Sequence, residues 1–96
     1  MEFEWDEDKD SRNQAKHGVS FAEAATLLRS ESHYLEIFDA DHSEFEDRFI
    51  AVGPIERGIV VVVYTEREED IIRIIGARWA NPREQSLYRS TMDPNQ

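Results

Sequence analysis

Hydrophobic positions recur at two different spacings along the chain, and the changes of spacing separate helices from strands. A short alternating segment at the N-terminus precedes two helices that meet at Gly18, a residue type suited to the position after a helix end. The second helix opens with a capping box from Ser20 to Glu23, and its apolar residues recur at the spacing of one buried face. Alternating strands follow, and a last helix opens at Asn81 and Pro82. The pattern predicts strands at 3–5, 34–38, 48–53, 59–65 and 71–78, and helices at about 7–17, 21–28 and 82–90.

The predicted order, β-α-α-β-β-β-β-α, is typical of the α+β class, in which helices are segregated from an antiparallel sheet. The last three strands are joined by short turns and therefore form an antiparallel meander. Strand 59–65 is apolar at successive positions, which predicts a place at the centre of the sheet. We expect a single domain over residues 1–90 and a flexible tail over 91–96. The longest apolar run is too short to span a membrane.

Composition makes the chain a small, strongly acidic domain with an uneven charge distribution. Its 96 residues carry a formal net charge of −10 and no cysteine, which excludes a disulfide framework and a zinc–thiolate site. The acidic N-terminus lacks the character of a signal peptide, and we expect a cytoplasmic protein. The net charge argues against general affinity for nucleic acid and favours a basic partner. However, segment 73–89 holds four arginines and one acid, whereas segment 39–47 holds five acids and no lysine or arginine.

The first helix concentrates its cations on one side. At about 100° per residue, Arg12, Asn13 and Lys16 fall within about 60° of Lys9, while the acids of the first turn fall outside this arc. One interpretation is a solvated helix with local ion pairs, which is the usual role of a charged helix face. The other is a ridge that contacts phosphate groups. The helix alone does not decide between the two.

Two arginines stand in the otherwise apolar last strand, where an unpaired buried charge is costly. On a regular strand Arg73 and Arg78 are five residues apart and point to opposite faces. Gly76 lies between them, and a glycine inside a strand often marks a bulge, which shifts the alternation by one residue. We therefore predict a bulge or bend near Gly76 that turns both guanidinium groups toward one surface. The alternative for Arg73 is an exposed ion pair with Glu66 or with an acid of the 39–47 loop.

Proton-transfer and metal chemistry have few candidates in the sequence. His17 ends the first helix, where it is either a capping residue that bonds the last carbonyls or a general acid or base. The acidic loop that begins at Asp39 could suggest a calcium site of the EF-hand type. However, the sixth position of such a loop needs glycine and is Glu44 here, and the twelfth needs an acid and is Ile50. We expect no metal site and no cofactor, and interpret the loop as solvated or as a docking site for a basic partner.

Short motifs follow one another in order from Phe3 to Tyr88. They are Phe3-Glu4-Trp5-Asp6, Lys16-His17-Gly18-Val19-Ser20-Phe21, Asp41-His42-Ser43, Val61-Val62-Val63-Tyr64-Thr65-Glu66 and Arg73-Ile74-Ile75, together with Lys9, Asn13, Ala24, Glu46, Arg48, Ala77, Arg78 and Glu84. In their joint order and spacing these residues resemble the BrnT family of type II toxin–antitoxin systems. Gly76 departs from the family pattern, which usually has serine at this position.

The resemblance implies a RelE-like fold and a ribonuclease toxin that blocks translation by cutting RNA, with chemistry that needs no metal. It also implies a cognate antitoxin, similar to BrnA, whose ribbon-helix-helix part binds DNA, so that the toxin meets DNA only indirectly. We expect Arg73 and Arg78 to bind the scissile phosphate, His17 or Tyr88 to transfer the proton, and Glu66 or Glu84 to orient an arginine. The residues expected to bind other phosphates are Lys9, Lys16, Arg48 and Arg12. The alternative, which the acidic net charge favours, is a catalytically weak or inactive toxin-like domain that only binds its antitoxin.

Overall fold

In the computed structural model, which describes residues 1–30, 33–44, 46–68 and 70–92, these ranges form a five-stranded sheet with three helices. The elements are β1 (Glu2–Glu4), α1 (Glu7–His17), α2 (Phe21–Arg29), β2 (Leu35–Phe38), β3 (Arg48–Ile55), β4 (Gly58–Arg67), β5 (Ile71–Trp79) and α3 (Pro82–Met92), with a 3₁₀ turn at Ala40–His42. The predicted element order and the α+β class are confirmed. The last helix continues to Met92, and the remainder of the predicted tail, 93–96, lies outside the described residues. No helix within these ranges has the length and apolar character needed to cross a membrane.

The strands lie in the order β1-β5-β4-β3-β2. β2 to β5 form an antiparallel meander, and β4 is central, which explains why its residues are apolar toward both faces. β1 pairs in parallel with the first part of β5, so that Glu4 lies beside Arg73. This pairing makes the N-terminal segment an edge strand of the sheet. It also places Glu4 where it can bind Arg73.

The two faces of the sheet are covered by different helices. α2 packs on one face with Phe21, Ala24, Ala25 and Leu28 fully or almost fully buried, as their spacing predicted, and with Leu27 buried in addition. α3 packs on the opposite face, where Val52, Val61 and Ala80 form a second, smaller cluster with Tyr88. We call this opposite face the α3 face. By strand register it carries Arg48, Val52, Val61, Thr65, Arg73 and Arg78.

The corner between α1 and α2 is fixed by its caps and by one arginine from the turn between β3 and β4. Gly18 has φ +72° after α1, and Ser20 and Glu23 form the predicted capping box. Arg57 donates to the Glu23 carboxylate from Nε at 2.7 Å and from Nη2 at 2.9 Å, and to the Gly18 carbonyl at 2.7 Å. Its guanidinium also lies 5.1 Å from the centre of the Trp79 ring. Arg57 therefore ties the helix corner to the turn between β3 and β4.

The pKa of Glu23 makes this contact sensitive to acid. Hydrogen bonds from Arg57 and from the Ser20 backbone lower the pKa of Glu23 from 4.5 to about 2. Because the folded-state pKa is depressed, the carboxylate stabilises the fold fully above about pH 4.5, and this contribution is lost as the pH falls toward about 2.

We therefore expect Glu23→Gln to be less stable than the parent at neutral pH and to lose less further stability between pH 4.5 and pH 2. Denaturant unfolding at a series of pH values measures both effects. Added salt should reduce the difference at neutral pH, because both side chains of the pair are partly exposed. An identical pH dependence in the two proteins would contradict a stabilising Glu23 carboxylate.

Two strand glycines lie in contrasting environments. A Cβ at Gly53 would stand 2.7 Å from Cδ1 of Leu27, 2.8 Å from Cβ of Tyr34 and 2.9 Å from the carbonyl oxygen of His33. A Cβ at Gly76 would meet no described atom within 4 Å. Gly53 is therefore the residue that lets α2 and the segment before β2 approach β3, whereas Gly76 faces open space.

Gly53→Ala is expected to lower the free energy of unfolding by about 1–3 kcal/mol, because the extra methyl group overpacks the core. Gly76→Ala is the matched control and is expected to raise that free energy by up to about 1 kcal/mol, since alanine restricts the unfolded chain more than glycine does. Urea unfolding of the two variants and the parent gives both values. A Gly53→Ala variant as stable as the parent would contradict the close approach at this position.

Candidate functional site

An extra residue in β5 determines where its arginines point. Tyr64 of β4 pairs with Ile74, and Val63 pairs with Gly76, which leaves Ile75 as the additional residue. Such a bulge shifts the alternation of the strand by one position. The irregularity predicted near Gly76 is confirmed, and it lies at the residue before the glycine.

Both arginines consequently lie on the α3 face. Arg73 stands opposite Thr65 and Arg78 stands opposite Val61, and these two β4 residues are separated by an even number of positions. The arginine side chains are 31% and 43% exposed, respectively, so that both remain accessible to a ligand. The predicted common surface for the two guanidinium groups is confirmed.

Each of these arginines is held by a glutamate. Arg73 donates from Nη1 to Oε2 of Glu4 at 2.6 Å, and Arg78 donates from Nη1 and Nη2 to the two oxygens of Glu84 at 2.7 Å each. The Arg78 guanidinium lowers the pKa of Glu84, and the Glu84 carboxylate raises the pKa of Arg78. Glu84 thus orients an arginine, as expected. The partner of Arg73 is neither Glu66 nor a loop acid but Glu4, because the parallel pairing of β1 places Glu4 beside it.

α1 lies along the part of β5 that continues beyond its pairing with β1. The Asn13 side chain donates from Nδ2 to the Ala77 carbonyl at 2.8 Å and accepts from the Ala77 N–H at 3.3 Å. The same Nδ2 donates to the Val19 carbonyl at 2.8 Å. The amide thus bonds backbone groups that a neighbouring strand would otherwise bond. Asn13 is the residue of the predicted cationic arc that faces the sheet and holds the helix in place.

Between α1 and the bulge lies a groove of about 340 Å³, lined by Lys9, Arg12, Asn13, Lys16, His17 and Ile75. We call it the α1 groove. Its three cationic side chains are exposed, and none forms a contact ion pair with any described residue. The cationic arc predicted from helix geometry therefore lines one surface and forms no contact ion pair with a described acid.

The two candidates for proton transfer lie on different parts of the molecule. His17 is partly buried in the α1 groove beside β5. Tyr88 packs against Val52 and Val61, and its hydroxyl donates to the His33 carbonyl at 3.1 Å. α3 carries Tyr88 over β2 and β3. The fold therefore places His17, and not Tyr88, with the cations of α1.

Arg48 and Thr65 continue the line of Arg73 across the α3 face, because Thr65 pairs with Arg48 of β3 on one side and with Arg73 on the other. Within the described ranges, the Thr65 hydroxyl and Arg48 Nε are both buried without a hydrogen-bond partner. Arg48 also lines a cavity of about 390 Å³ together with the loop residues Asp41, His42, Glu44 and Glu46. Arg48 was among the predicted site residues. Thr65 was not, because only the strand register shows that it lies between two arginines.

No cluster of histidines and acids that could hold a metal ion occurs in the part of the chain that the structure describes.

Fold and site together define a small α+β protein with a groove whose three cations form no contact ion pair with a described residue, an arrangement suited to binding a polyanion. Residues 5–84 match the family model described as "Ribonuclease toxin, BrnT, of type II toxin-antitoxin system". Because this match covers most of the chain, the protein belongs to the BrnT family of ribonuclease toxins.

A solved structure agrees with this assignment. The chain is similar to the ribonuclease toxin BrnT of Brucella abortus, with a TM-score of 0.65 and 25% sequence identity over 84% of this chain and 97% of that one. No curated protein matches the sequence. The family places the protein in a type II toxin–antitoxin system, which implies an antitoxin as its partner.

Proposed function

We propose that this protein is an endoribonuclease toxin that cuts RNA without a metal ion and thereby blocks translation in the cytoplasm. Its family supports the ribonuclease class. The observation that carries the proposal is the α1 groove, where three cations without a contact ion pair among the described residues lie beside a histidine. Such cations are available to the phosphates of a single-stranded RNA.

In the reaction the ribose 2′ oxygen forms a bond to the adjacent phosphorus and loses its proton, while the bond to the 5′ oxygen breaks and that oxygen gains a proton. Lys9, Arg12 and Lys16 bind phosphates next to the scissile one. His17 lies in the same groove and acts as the general base for the 2′-hydroxyl or as the general acid for the 5′ oxygen, roles that histidine fills most often. Tyr88 is the weaker candidate, because its hydroxyl would first have to leave a backbone carbonyl.

Arg73 and Arg78 stabilise the charge that develops on the phosphate. Their glutamates hold the guanidinium groups in fixed orientations, which reduces the freedom lost when a phosphate binds. Ile75 in the α1 groove is two residues from Arg73, about 7 Å along a strand. Gly76 offers no side chain to block the way between the groove and the α3 face. We propose that the RNA backbone crosses β5 at Gly76.

Single-turnover RNA cleavage tests this assignment. We expect His17→Ala to slow cleavage by about 10²–10⁴-fold, the usual contribution of general acid–base catalysis. Arg78→Ala should slow it by about 10²-fold or more, as the loss of an electrostatic donor does. The double variant Lys9→Ala, Lys16→Ala should bind RNA more weakly, and Tyr88→Phe should cut at nearly the parental rate.

The matched control for charge is the double variant Arg83→Ala, Arg89→Ala, which removes two exposed cations from α3 and should change RNA binding little. If His17→Ala and Arg78→Ala both cut like the parent, the site lies elsewhere. The pairing of Arg73 and Arg78 with glutamates favours a second candidate function, an inactive toxin-like domain that only binds its antitoxin. Expression without antitoxin separates the two, because an active toxin arrests growth and an inert one does not.

We propose in addition that the cognate antitoxin, similar to BrnA, adds a strand to the free edge of β2. Among the described strands, β2 pairs only with β3. The Asp39 N–H donates to the Arg48 carbonyl on β3. By the alternation of an antiparallel pair, the backbone groups of Ile37 then also face β3, whereas those of Glu36 and Phe38 face outward. This edge can accept one more strand.

The surroundings of this edge favour a basic, partly apolar segment. Ile37 and Phe38 are 40% and 50% exposed. The loop that follows them carries the five acids Asp39, Asp41, Glu44, Glu46 and Asp47. A second copy of this acidic chain would be repelled, whereas a basic antitoxin segment would be attracted.

Phe38→Pro tests the docking site, because it removes an outward-facing N–H without removing a β2–β3 hydrogen bond. Phe38→Ala is its control, since it removes the same aromatic ring and keeps the N–H. We expect the proline variant to bind the antitoxin candidate encoded beside its gene about tenfold more weakly than the alanine variant does, as measured by calorimetry. Equal binding by the two variants would place the antitoxin at another surface.

A further inference from the structure

Thr65 is a buried polar residue whose hydroxyl forms no hydrogen bond within the described part of the fold. It is 1% exposed, and its Oγ1 has no hydrogen-bond partner among the described residues. It follows four successive valines and a tyrosine in β4, where a further valine would fit the strand equally well and leave no hydroxyl unpaired. A buried polar group of this kind calls for an explanation, such as a bound water or a ligand.

The neighbours of Thr65 indicate what that ligand is. Arg48 and Arg73 flank it in register on the two adjacent strands, and directly opposed residues of such strands have their Cβ atoms about 4.5–5.5 Å apart. Arg48 Nε is likewise buried without an acceptor, and Arg48 forms no ion pair within the described part of the chain. Arg73 uses Nη1 to bond Glu4 and has further N–H donors on its guanidinium. Thr65 and Arg48 thus present buried donors without acceptors among the described residues, and Arg73 lies beside them with donors that Glu4 does not use.

We propose that Thr65, Arg48 and Arg73 form a phosphate-binding subsite on the α3 face. A phosphate oxygen accepts from the Thr65 hydroxyl, while the two guanidinium groups bind the remaining oxygens from either side. Arg48 moves aside to admit the phosphate, since no described acid holds it. Asp41, Glu44 and Glu46 line a cavity together with Arg48. Their negative charge disfavours an anion there, so the phosphate binds toward Arg73. The inference rests on the proposed function, in which this phosphate belongs to the RNA.

Thr65→Val separates a ligand role from a structural one. The change keeps the shape of the side chain and removes an unpaired buried hydroxyl, so the thermal stability should stay equal or rise. RNA cleavage should nevertheless fall by about tenfold or more, as the loss of a hydrogen bond to a charged group does. Thr65→Ser keeps the hydroxyl and should retain most of the activity despite lower stability. Arg48→Ala should lower the affinity for RNA in the same way as Thr65→Val.

Two binding probes identify the source of the phosphate. An oligodeoxynucleotide lacks the 2′-hydroxyl and is not cleaved, so its affinity reports binding alone. We expect Thr65→Val to lower this affinity by about tenfold. It should also reduce the response of the backbone amide signal of residue 65 to inorganic phosphate in an NMR titration. If only inorganic phosphate binds less well to the variant, the subsite takes a free phosphate, and its assignment to RNA is overturned.

Equal binding of both probes by Thr65→Val and the parent would overturn the subsite and leave a bridging water as the partner of the hydroxyl. Loss of stability in Thr65→Val would likewise contradict the proposal, because it would show that the hydroxyl serves the fold. A parent protein that binds the oligodeoxynucleotide through Thr65 but cuts no RNA would refute the proposed ribonuclease activity and support the subsite.

Discussion

The extra residue at Ile75 is the constraint on which the site depends. Without it, Arg73 and Arg78 would point to opposite faces of β5, and the α3 face would carry one arginine fewer. The shift in alternation also turns the backbone N–H and carbonyl of Ala77 away from β4 and toward α1. Asn13 of α1 bonds both groups. One inserted residue thus positions two arginines and, through Asn13, the helix that supplies the cations of the α1 groove.

Two groups of acidic residues lie at defined places in the fold, apart from the cations of the α1 groove. Glu4 and Glu84 orient the two arginines of β5, and Glu23 ties the helix corner to Arg57. A second group of acids lies in the loop between β2 and β3, at the opposite side of the sheet from α1. The cations of the α1 groove have no contact with either group in the described ranges. The net charge therefore does not describe the surface proposed to bind RNA, where three cations share α1 with the acids of its first turn.

Local patterns predicted the local structure of this protein. The Gly18 helix end and the Ser20 capping box follow from residue types a few positions apart, and Gly76 signalled the bulge because it interrupts an apolar strand. The contacts that complete the site join distant residues: Asn13 bonds Ala77 across 64 positions, and Arg73 bonds Glu4 across 69. No periodicity within one element reports such a pairing. Thr65 is visible in the sequence, but its place between Arg48 and Arg73 emerges only from the register of three strands.

An acidic protein can act on RNA because electrostatic interactions in water are short-ranged. At physiological ionic strength, exposed charges farther apart than about 8 Å are largely screened. Three strand spacings of about 4.8 Å separate β2 from β5, so the loop acids next to β2 lie about 14 Å or more from the edge that carries the α1 groove. The arginines of β5 present nearly neutral pairs with their glutamates and contribute orientation more than attraction. In the proposed function, the attraction for a phosphate chain then comes from Lys9, Arg12 and Lys16, which form no contact ion pair in the described structure. In this proposal α1 attracts the phosphate chain and the arginines of β5 orient it. The bulge at Ile75 brings these two elements together.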